Sequence, residues 1–464
     1  MDFGNLPQLR LPPLPEQPER FATLAEVFGI SRSIPLNYVS REAVDTDFAI
    51  ALDRNRHIVV HGSSKQGKTC LRKWNLDDDA YVTITCSNRW TIANLHTSIL
   101  KQAGFTVSQS ETRTVSGENK ITAKTELKIA APGVDASSSI EGARGASNSH
   151  EVVRYHLDLD PSDVNEVVSA IRQIDFRKHV VLEDFHYLPR ETQQDFAVAL
   201  KALHESSELT VIIVGVWLDE NKLVQFNGDL TGRVVAINAD AWTRDQLRQV
   251  MEGGAELLGI TFTEEFILGV LDRCFDSVWV VQEACFRACL KSNVIADRAD
   301  HTAVGADLDV DQLIVEIIDQ QSARYSTFIP AFAEGFRSSH YELYKWILCA
   351  VLLSDVSQLT LGLNQADIRD FINNHHPLGS VLSSNLASAL RSVVQLQAER
   401  IGIKPTIFDF DESSRRLTIV DRSFLIWLEH LDTQDLLEEA GMPAAFIRRW
   451  VSENGGEPTG RHRQ

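Results

Sequence analysis

The sequence has 464 residues, of which 44% are apolar, and carries a formal net charge of -19. This length and composition allow about two to three packed domains and exclude a chain that is disordered throughout. The negative charge argues against tight nonspecific binding to nucleic acid, because the molecule as a whole repels polyanions.

The N-terminal residues lack the basic-then-apolar order of a secretory signal, and no run of about 18 apolar residues occurs. We therefore expect a soluble, cytoplasmic protein without a membrane partner. The six cysteines are scattered, without a CxxC pair or zinc-like spacing. Cys285 and Cys289 would share a helix face, which could suit a metal, but buried reduced thiols are favoured.

Residues 1–40 are predicted to form an N-terminal arm, because the first 20 or so are rich in Pro and Leu without any period. Between 41 and 238, short β-rich segments alternate with helical patterns. Five of them are interpreted as strands: HIVV at 57–60, YVTITC at 81–86, HVVL at 179–182, LTVIIVGVW at 209–217 and RVVAI at 233–237. This alternation predicts an α/β fold with a parallel, doubly wound sheet.

Residues 106–150 interrupt the alternation with a segment rich in Ser, Thr, Gly and Ala. Within it, KITAKTELKI at 120–129 alternates apolar and polar residues, which predicts an inserted β-hairpin. The apolar face of this hairpin is thin, and over residues 106–156 six basic and six acidic residues balance. Contact with a partner or a neighbouring subunit is therefore favoured over membrane insertion.

After residue 238 helical patterns take over. Helices predicted within 239–325 would form a lid subdomain packed on the sheet domain. Over 326–440, three helices followed by a hairpin and a further helix predict a winged-helix domain. Residues 441–464 are assigned to a tail, and the last of them have no core-forming pattern.

The segment GSSKQGKT fits the phosphate-loop pattern G-x-x-x-x-G-K-[ST] in full, between a predicted strand and a predicted helix. Glycines let backbone N–H groups turn towards a phosphate, and the helix N-terminus adds partial positive charge. Lys68 would bridge the β- and γ-phosphates, and the Thr69 hydroxyl would bind Mg²⁺. The alternative is a Gly/Ser loop that precedes Lys-Thr by chance. The candidate nucleotide-binding residues are Gly62, Ser63, Ser64, Lys65, Gln66, Gly67, Lys68, Thr69 and Cys70.

Two acidic residues, Glu183 and Asp184, end the predicted strand HVVL. A phosphate-loop enzyme places one carboxylate near the metal there, and often a second that orients the attacking water. The sequence leaves open which of the two has which role. It also leaves open that one of them only caps the following helix.

With these motifs the chain resembles an AAA+ ATPase of the signal-transduction (STAND) or origin-recognition type, over about residues 41–431. The resemblance implies ATP and Mg²⁺ as cofactors, a homo-oligomer, and a separate effector protein as partner. It also implies that Arg233 is an arginine finger for a neighbouring subunit, although a solvated strand-edge arginine is an equal alternative. The strand that ends in Gly215, Val216 and Trp217 lacks the family's polar sensor residue, and no sensor arginine is evident. Hydrolysis is therefore expected to be slow or dependent on a partner.

Three functions remain open. The first is an ATP-binding and ATP-hydrolysing switch or scaffold, of a kind that serves prokaryotic signalling or defence. The second is a DNA-associated AAA+ ATPase of the replication-initiation or transposition type. The third is a nucleotide-binding structural protein without turnover. DNA is not favoured, because basic residues do not outnumber acidic ones in the predicted winged helix, which we expect to serve packing and autoinhibition.

Overall fold

A computed structural model describes residues 22–30, 33–107, 155–157, 159–174, 176–297, 302–336 and 341–454. The chain divides into two compact units. The first unit contains Met1–Arg41 and Trp242–Ser322, and the second contains Glu42–Ala241 and Ala323–Gln464. The described residues before Glu42 thus belong to the same unit as residues 242–322.

Twelve strands occur within the described residues: β1 His57–His61, β2 Tyr81–Thr85, β3 Phe105–Val107, β4 Tyr155–Leu157, β5 His179–Glu183, β6 Val211–Val214, β7 Val234–Asn238, β8 Ile260–Phe262, β9 Thr302–Val304, β10 Leu363–Asn364, β11 Phe408–Asp411 and β12 Arg416–Ile419. In chain order, the first eleven α-helices of the described residues are α1 Leu24–Val27, α2 Glu42–Asp53, α3 Lys68–Asn75, α4 Ile92–Gln102, α5 Val164–Gln173, α6 Arg190–Ser206, α7 Lys222–Phe226, α8 Arg244–Leu257, α9 Glu264–Arg273, α10 Val278–Lys291 and α11 Val310–Glu334. Those that follow are α12 Leu343–Leu352, α13 Val356–Leu361, α14 Gln365–His375, α15 Ser383–Arg391, α16 Val393–Gln395, α17 Arg422–Glu429, α18 Thr433–Glu439 and α19 Ala444–Asn454. Two short 3₁₀ turns, Phe185–Tyr187 and Gly228–Leu230, and a π-helical turn, Leu396–Ile401, complete the elements.

The main sheet has the strand order β2-β5-β6-β1-β7, and every neighbouring pair is parallel. Side chains of β1 alternate between two buried clusters: Ile58 and Val60 face α2 and α3, whereas Val59 faces α4, α5 and α6. Both faces of the sheet are therefore covered by helices, which accounts for its nearly continuous apolar strands. The five predicted strands and the predicted parallel α/β fold are confirmed.

The predicted hairpin in residues 106–150 lies almost entirely outside the described residues. At its two ends, β3 pairs in parallel with β4, and Phe105 is opposite Tyr155. The described residues on either side of this segment thus lie next to each other in one two-stranded ribbon.

The described residues of the first unit are mainly helical. The helices α1 and α8 both begin with a capping box, in which Thr23 and Thr243 satisfy backbone N–H groups of the first turn. The ring of Phe28 lies directly on Gly254 of α8, where an added Cβ would be 2.2 Å from the ring. This close packing accounts for the position of the N-terminal arm within this unit.

Residues 323–454, here called the C-terminal module, combine the end of α11 with α12 to α19 and a three-stranded antiparallel sheet, β10-β12-β11. Its core is aromatic, with Phe328, Phe332, Phe408 and Phe424 in mutual ring contact. The predicted tail differs from the structure, which forms α19 at 444–454. The ring of Phe446 packs against Trp346 there, so this part of the tail belongs to the module.

Among the described residues, no helix combines the length and the apolar character that crossing a bilayer would need.

Candidate functional site

The phosphate loop, residues 62–69, connects β1 to α3 as the sequence predicts. Gly62 has φ +136° and Gly67 has φ +77°, conformations that residues with a Cβ rarely adopt. Gly67 is the N-cap of α3 and has no side chain to satisfy the helix. The first N–H groups of a helix have no acceptor inside it, so the loop presents donors and partial positive charge at one point.

Lys68 is the first residue of α3, and its side chain turns back over the loop. Its Nζ donates hydrogen bonds to the carbonyl oxygen of Gly62, at 3.0 Å, and to that of Ser63. Burial lowers the pKa of Lys68 to about 8, and the charges of Asp240, Glu183 and Asp184 act in the opposite direction. The pKa of this ammonium group is therefore set by burial against the opposing influence of three carboxylates.

The two predicted acidic residues lie at the carboxyl end of β5. The carboxylate of Glu183 forms an ion pair with Arg72 of α3, with Oε1 3.3 Å from Nε. Asp184 has φ +58°, an uncommon value outside glycine. Burial raises the pKa of both carboxyl groups, while Arg72 lowers that of Glu183 and Lys404 lowers that of Asp184.

Neither acidic residue caps a helix with its side chain. Asp184 stands at the N-cap of the 3₁₀ turn Phe185–Tyr187, where no side-chain capping bond forms. The N-cap of the following helix α6 is Pro189, which cannot cap through a side chain. The geometry therefore does not support the capping alternative that the sequence left open.

The acidic pair and the phosphate loop meet because β1 and β5 are parallel members of one sheet, separated only by β6. Their carboxyl ends open onto the same edge, which is where ligands bind in open α/β sheets. The remaining predicted loop residues differ in environment: Ser63 and Gln66 are buried, Lys65 and Thr69 are exposed, and Ser64 and Cys70 are partly exposed.

The described residues contain no cluster of three or more His, Cys, Asp or Glu side chains that would hold a metal alone. Mg²⁺ at nucleotide sites needs fewer protein ligands, because it takes one or two carboxylates and completes its coordination shell with phosphate oxygens and water. The ligands predicted from the sequence, the Thr69 hydroxyl with Glu183 or Asp184, supply the oxygen atoms that Mg²⁺ prefers.

Asp240 is a member of the site that the sequence did not indicate. It follows β7 and accepts hydrogen bonds from the Ser63 backbone N–H, at 2.7 Å, and from the Ser63 hydroxyl, at 2.6 Å. A Cβ at Gly62 would lie 2.6 Å from Oδ1 of Asp240. Asp240 thus fixes the first turn of the loop and accounts for the glycine at position 62.

The C-terminal module also reaches the loop. The Ser64 N–H donates to the carbonyl oxygen of Val420, at 2.9 Å, and Arg422 Nη2 lies 3.5 Å from Oδ2 of Asp240. On the side of the acidic pair, the ammonium of Lys404 lies 4.3 Å from the centre of the Tyr187 ring. The sequence analysis counts Lys404 and Arg422 among the basic residues of the predicted winged helix and does not connect them with the phosphate loop.

Arg233 lies at the opposite edge of the sheet. It precedes β7, whose first residue pairs with His57 at the start of β1, and its Nη2 lies 2.6 Å from Glu205 Oε1. Within one chain it is therefore remote from the phosphate loop. Its assignment as an arginine finger concerns a neighbouring subunit and stays a prediction.

The position of the missing polar sensor has a structural role. Trp217 is fully buried, and its carbonyl oxygen accepts the N–H of Gly62 at 2.9 Å. A Cβ at Gly215 would lie 1.5 Å from the Trp217 ring, so only glycine fits at this position. The segment 215–217, which follows β6, therefore supports β1 by packing. Its residues are Gly, Val and Trp, so no sensor-type polar side chain stands there.

No protein-family model and no curated protein matches this sequence. Among solved structures, the fold is similar to a Walker-type ATPase of Pyrococcus abyssi, with a TM-score of 0.50 and 13% identity over 87% of this chain and 99% of that one. Weaker likeness extends to Cdc6p from Pyrobaculum aerophilum, with a TM-score of 0.39 and 13% identity over 90% and 99% of the two chains. It also extends to the Orc1 protein of Aeropyrum pernix in complex with DNA, with a TM-score of 0.40 and 13% identity over 93% and 98%. At such identities the likeness shows the fold alone, an α/β fold of the phosphate-loop ATPase kind.

Proposed function

We propose that the chain is an ATP-binding switch of the AAA+ type that hydrolyses ATP slowly or on contact with a partner. The observation that carries this proposal is that Lys68, whose ammonium bonds to the loop carbonyl of Gly62, and the pair Glu183 and Asp184 lie at the same carboxyl edge of one parallel sheet. Two distant parts of the chain thereby supply the cation and the carboxylates that a magnesium-bound triphosphate requires.

In this proposal each group has a definite task. Lys68 holds the β- and γ-phosphates, and the N–H groups at the start of α3 surround the β-phosphate. Thr69 and one of the acidic pair hold Mg²⁺, while the other carboxylate orients water. The metal, when bound, neutralises phosphate charge. Arg72 holds Glu183 in place through the ion pair, so this carboxylate has a fixed orientation.

The finer features rest on the resemblance and on element order. We interpret the helices and antiparallel sheet of the C-terminal module as a winged helix, in an arrangement like that of STAND and origin-recognition ATPases. A switch of this kind would act through nucleotide-dependent self-association or through a separate effector protein. A role in prokaryotic defence signalling rests on the resemblance alone.

The first test is nucleotide affinity, measured by titration with a fluorescent ATP analogue and Mg²⁺. We expect Lys68→Ala to weaken binding by at least about tenfold while the fold is retained, because the variant loses a direct phosphate contact. Lys178→Ala, an exposed lysine at the opposite edge of the sheet, is the matched control and should bind like the wild type. Equal affinity of Lys68→Ala and the wild type would refute the nucleotide site.

The second measurement concerns the switch. Light scattering after size-exclusion chromatography should give a mass that depends on ATP and Mg²⁺ in the wild type but not in Lys68→Ala. A monomer under all conditions, with tight ATP binding, would favour a nucleotide-binding protein that does not switch by self-association.

A further inference from the structure

An ion pair at the base of the phosphate loop joins two segments that are about 180 residues apart in sequence. Asp240 follows β7 in the sheet domain, and Arg422 begins α17 in the C-terminal module. Both side chains are almost fully enclosed, with 7% of Asp240 and 11% of Arg422 exposed. The pair is therefore little screened by solvent, unlike the many exposed ion pairs of this chain.

Asp240 connects this ion pair directly to the loop. Its two carboxylate oxygens accept the N–H and the hydroxyl of Ser63, and the neighbouring Ser64 N–H is taken by Val420, two residues before Arg422. Ser63 and Ser64 are thus held by one group of residues, Asp240, Val420 and Arg422, which we call the junction. These two N–H groups are therefore not available to a phosphate, whereas the first N–H groups of α3 have no acceptor within their own helix.

The charges in this junction have a consequence for anion binding. Asp240 places a carboxylate within interaction range of Lys68, and an unpaired carboxylate there would repel a triphosphate. Arg422 supplies the compensating charge only when the C-terminal module is docked on the loop. The Nε of Arg422 is buried and has no hydrogen-bond partner, so this guanidinium still has a donor to spare.

We propose that Asp240 is a positioning residue of the phosphate loop and that its ion pair with Arg422 couples nucleotide binding to docking of the C-terminal module. The proposal rests on the proposed nucleotide site. Docking neutralises Asp240 and raises affinity for the nucleotide. Thermodynamic reciprocity then requires that the nucleotide strengthens docking by the same factor. This sign is opposite to that of autoinhibition, in which the nucleotide would release the module.

The test is a double-mutant cycle on the affinity for the fluorescent ATP analogue with Mg²⁺. Arg422→Gln leaves Asp240 uncompensated and should weaken binding by about tenfold. Asp240→Asn removes the charge but keeps an acceptor for Ser63, so its affinity should equal or exceed that of the wild type. The double variant should recover to within about threefold of the wild type. Lys201→Gln combined with Asp229→Asn, an exposed ion pair of the same unit, is the matched control and should change nothing.

Hydrogen exchange supplies the second reading and tests the reciprocal effect. In the wild type, the nucleotide should slow amide exchange in residues 420–424, whereas in Asp240→Ala this response should be lost. Arg422→Lys retains the positive charge, so its affinity for the analogue should lie within a few-fold of that of the wild type. This variant keeps the test decisive if Arg422→Gln does not fold.

Three results would overturn the coupling while leaving the nucleotide site intact. They are a double variant as weak as Arg422→Gln, an Arg422→Gln variant with wild-type affinity, and faster exchange in 420–424 on nucleotide addition. A wild-type protein that does not bind the analogue would instead refute the proposed function, and the coupling with it.

Discussion

His57, the first residue of β1, is buried at the amino edge of the main sheet and makes two hydrogen bonds. Its Nδ1 accepts the N–H of Val211 at 3.0 Å, so the proton of the neutral ring is on Nε2, which lies 3.2 Å from the carbonyl oxygen of Leu200. Burial, together with the charge of the nearby His204, lowers the pKa of His57 to about 3. The ring is therefore held neutral in the folded protein.

This histidine predicts a loss of stability in acid. The unfolded chain binds a proton at His57 below about pH 6.5, whereas the folded chain does so only near pH 3, so stability falls as pH decreases between these values. At pH 5 the free energy of unfolding should be about 2 kcal/mol lower than it would be with a neutral group in place of His57.

Other buried histidines follow the same trend, since burial also lowers the pKa of His61, His96 and His186. The measurement is therefore the difference between the wild type and His57→Gln in chemical denaturation at pH 7.5 and pH 5. Glutamine does not titrate, so the variant should lose less stability on acidification. An identical pH dependence of the two proteins would contradict the assignment.

At the level of single residues, the sequence indicates the members of the site that belong to motifs. Lys68, Glu183 and Asp184 were predicted because glycine spacing and an acidic strand end have recognisable patterns. Asp240 and Arg422 have none, since their roles depend on β7 lying next to β1 and on a segment near residue 420 folding over the loop. Strand order and module docking are long-range properties that local sequence does not encode.

Among the elements, the π-helical turn Leu396–Ile401 is organised by one buried amide. The Gln397 side chain donates to the carbonyl oxygens of Val393 and Phe408 and accepts the N–H groups of Ile407 and Phe408. All its bonding capacity is used, and it is completely buried. This side chain therefore connects the turn to the strand β11.

Replacing Gln397 with leucine should destabilise the C-terminal module by about 3 kcal/mol, because two buried N–H groups lose their acceptor. Thermal unfolding followed by circular dichroism measures this effect. Gln395→Leu, in the preceding turn, is the control, since this side chain is exposed and bonds only to Glu399. A similar decrease of the unfolding temperature in both variants would show that the buried hydrogen bonds of Gln397 do not stabilise the module.

For whole elements, hydrophobic periodicity predicted long segments well and short ones poorly. The five strands of the main sheet and the helices of the lid have strong patterns, and the structure contains them. The six-residue helix α13 and the two-residue strand β10 were missed, because β10 is defined only by its pairing with Leu417 and Arg416 of β12. The helix α19 has apolar residues at helical spacing, including Ile447 and Trp450, but its terminal position favoured assignment to a tail.

At the scale of the whole molecule, the charge distribution bears on the DNA-associated alternative. The net charge is -19, and basic residues of the predicted winged helix are used within the protein. Arg391 pairs with Glu412 at 2.9 Å, and Arg416 donates to the carbonyl oxygen of Gly362 at 2.7 Å. These contacts leave few cations in this region for a phosphate backbone.

We therefore expect weak binding to duplex DNA, with a dissociation constant above about 1 μM at physiological salt. Fluorescence anisotropy over a salt series measures it, and Arg400→Gln combined with Arg415→Gln shows whether these exposed arginines contribute. Nanomolar binding that depends on sequence would restore the DNA-associated alternative.

The two-stranded ribbon of β3 and β4 bears on how this protein tolerates changes in length. The polypeptide departs after Val107 and returns before Tyr155, and both points are anchored to one another by the paired strands. The separation of these two points is fixed by the paired strands and does not depend on how many residues lie between them. Variants with more or fewer residues between Val107 and Tyr155 should therefore keep the alignment of the five central strands.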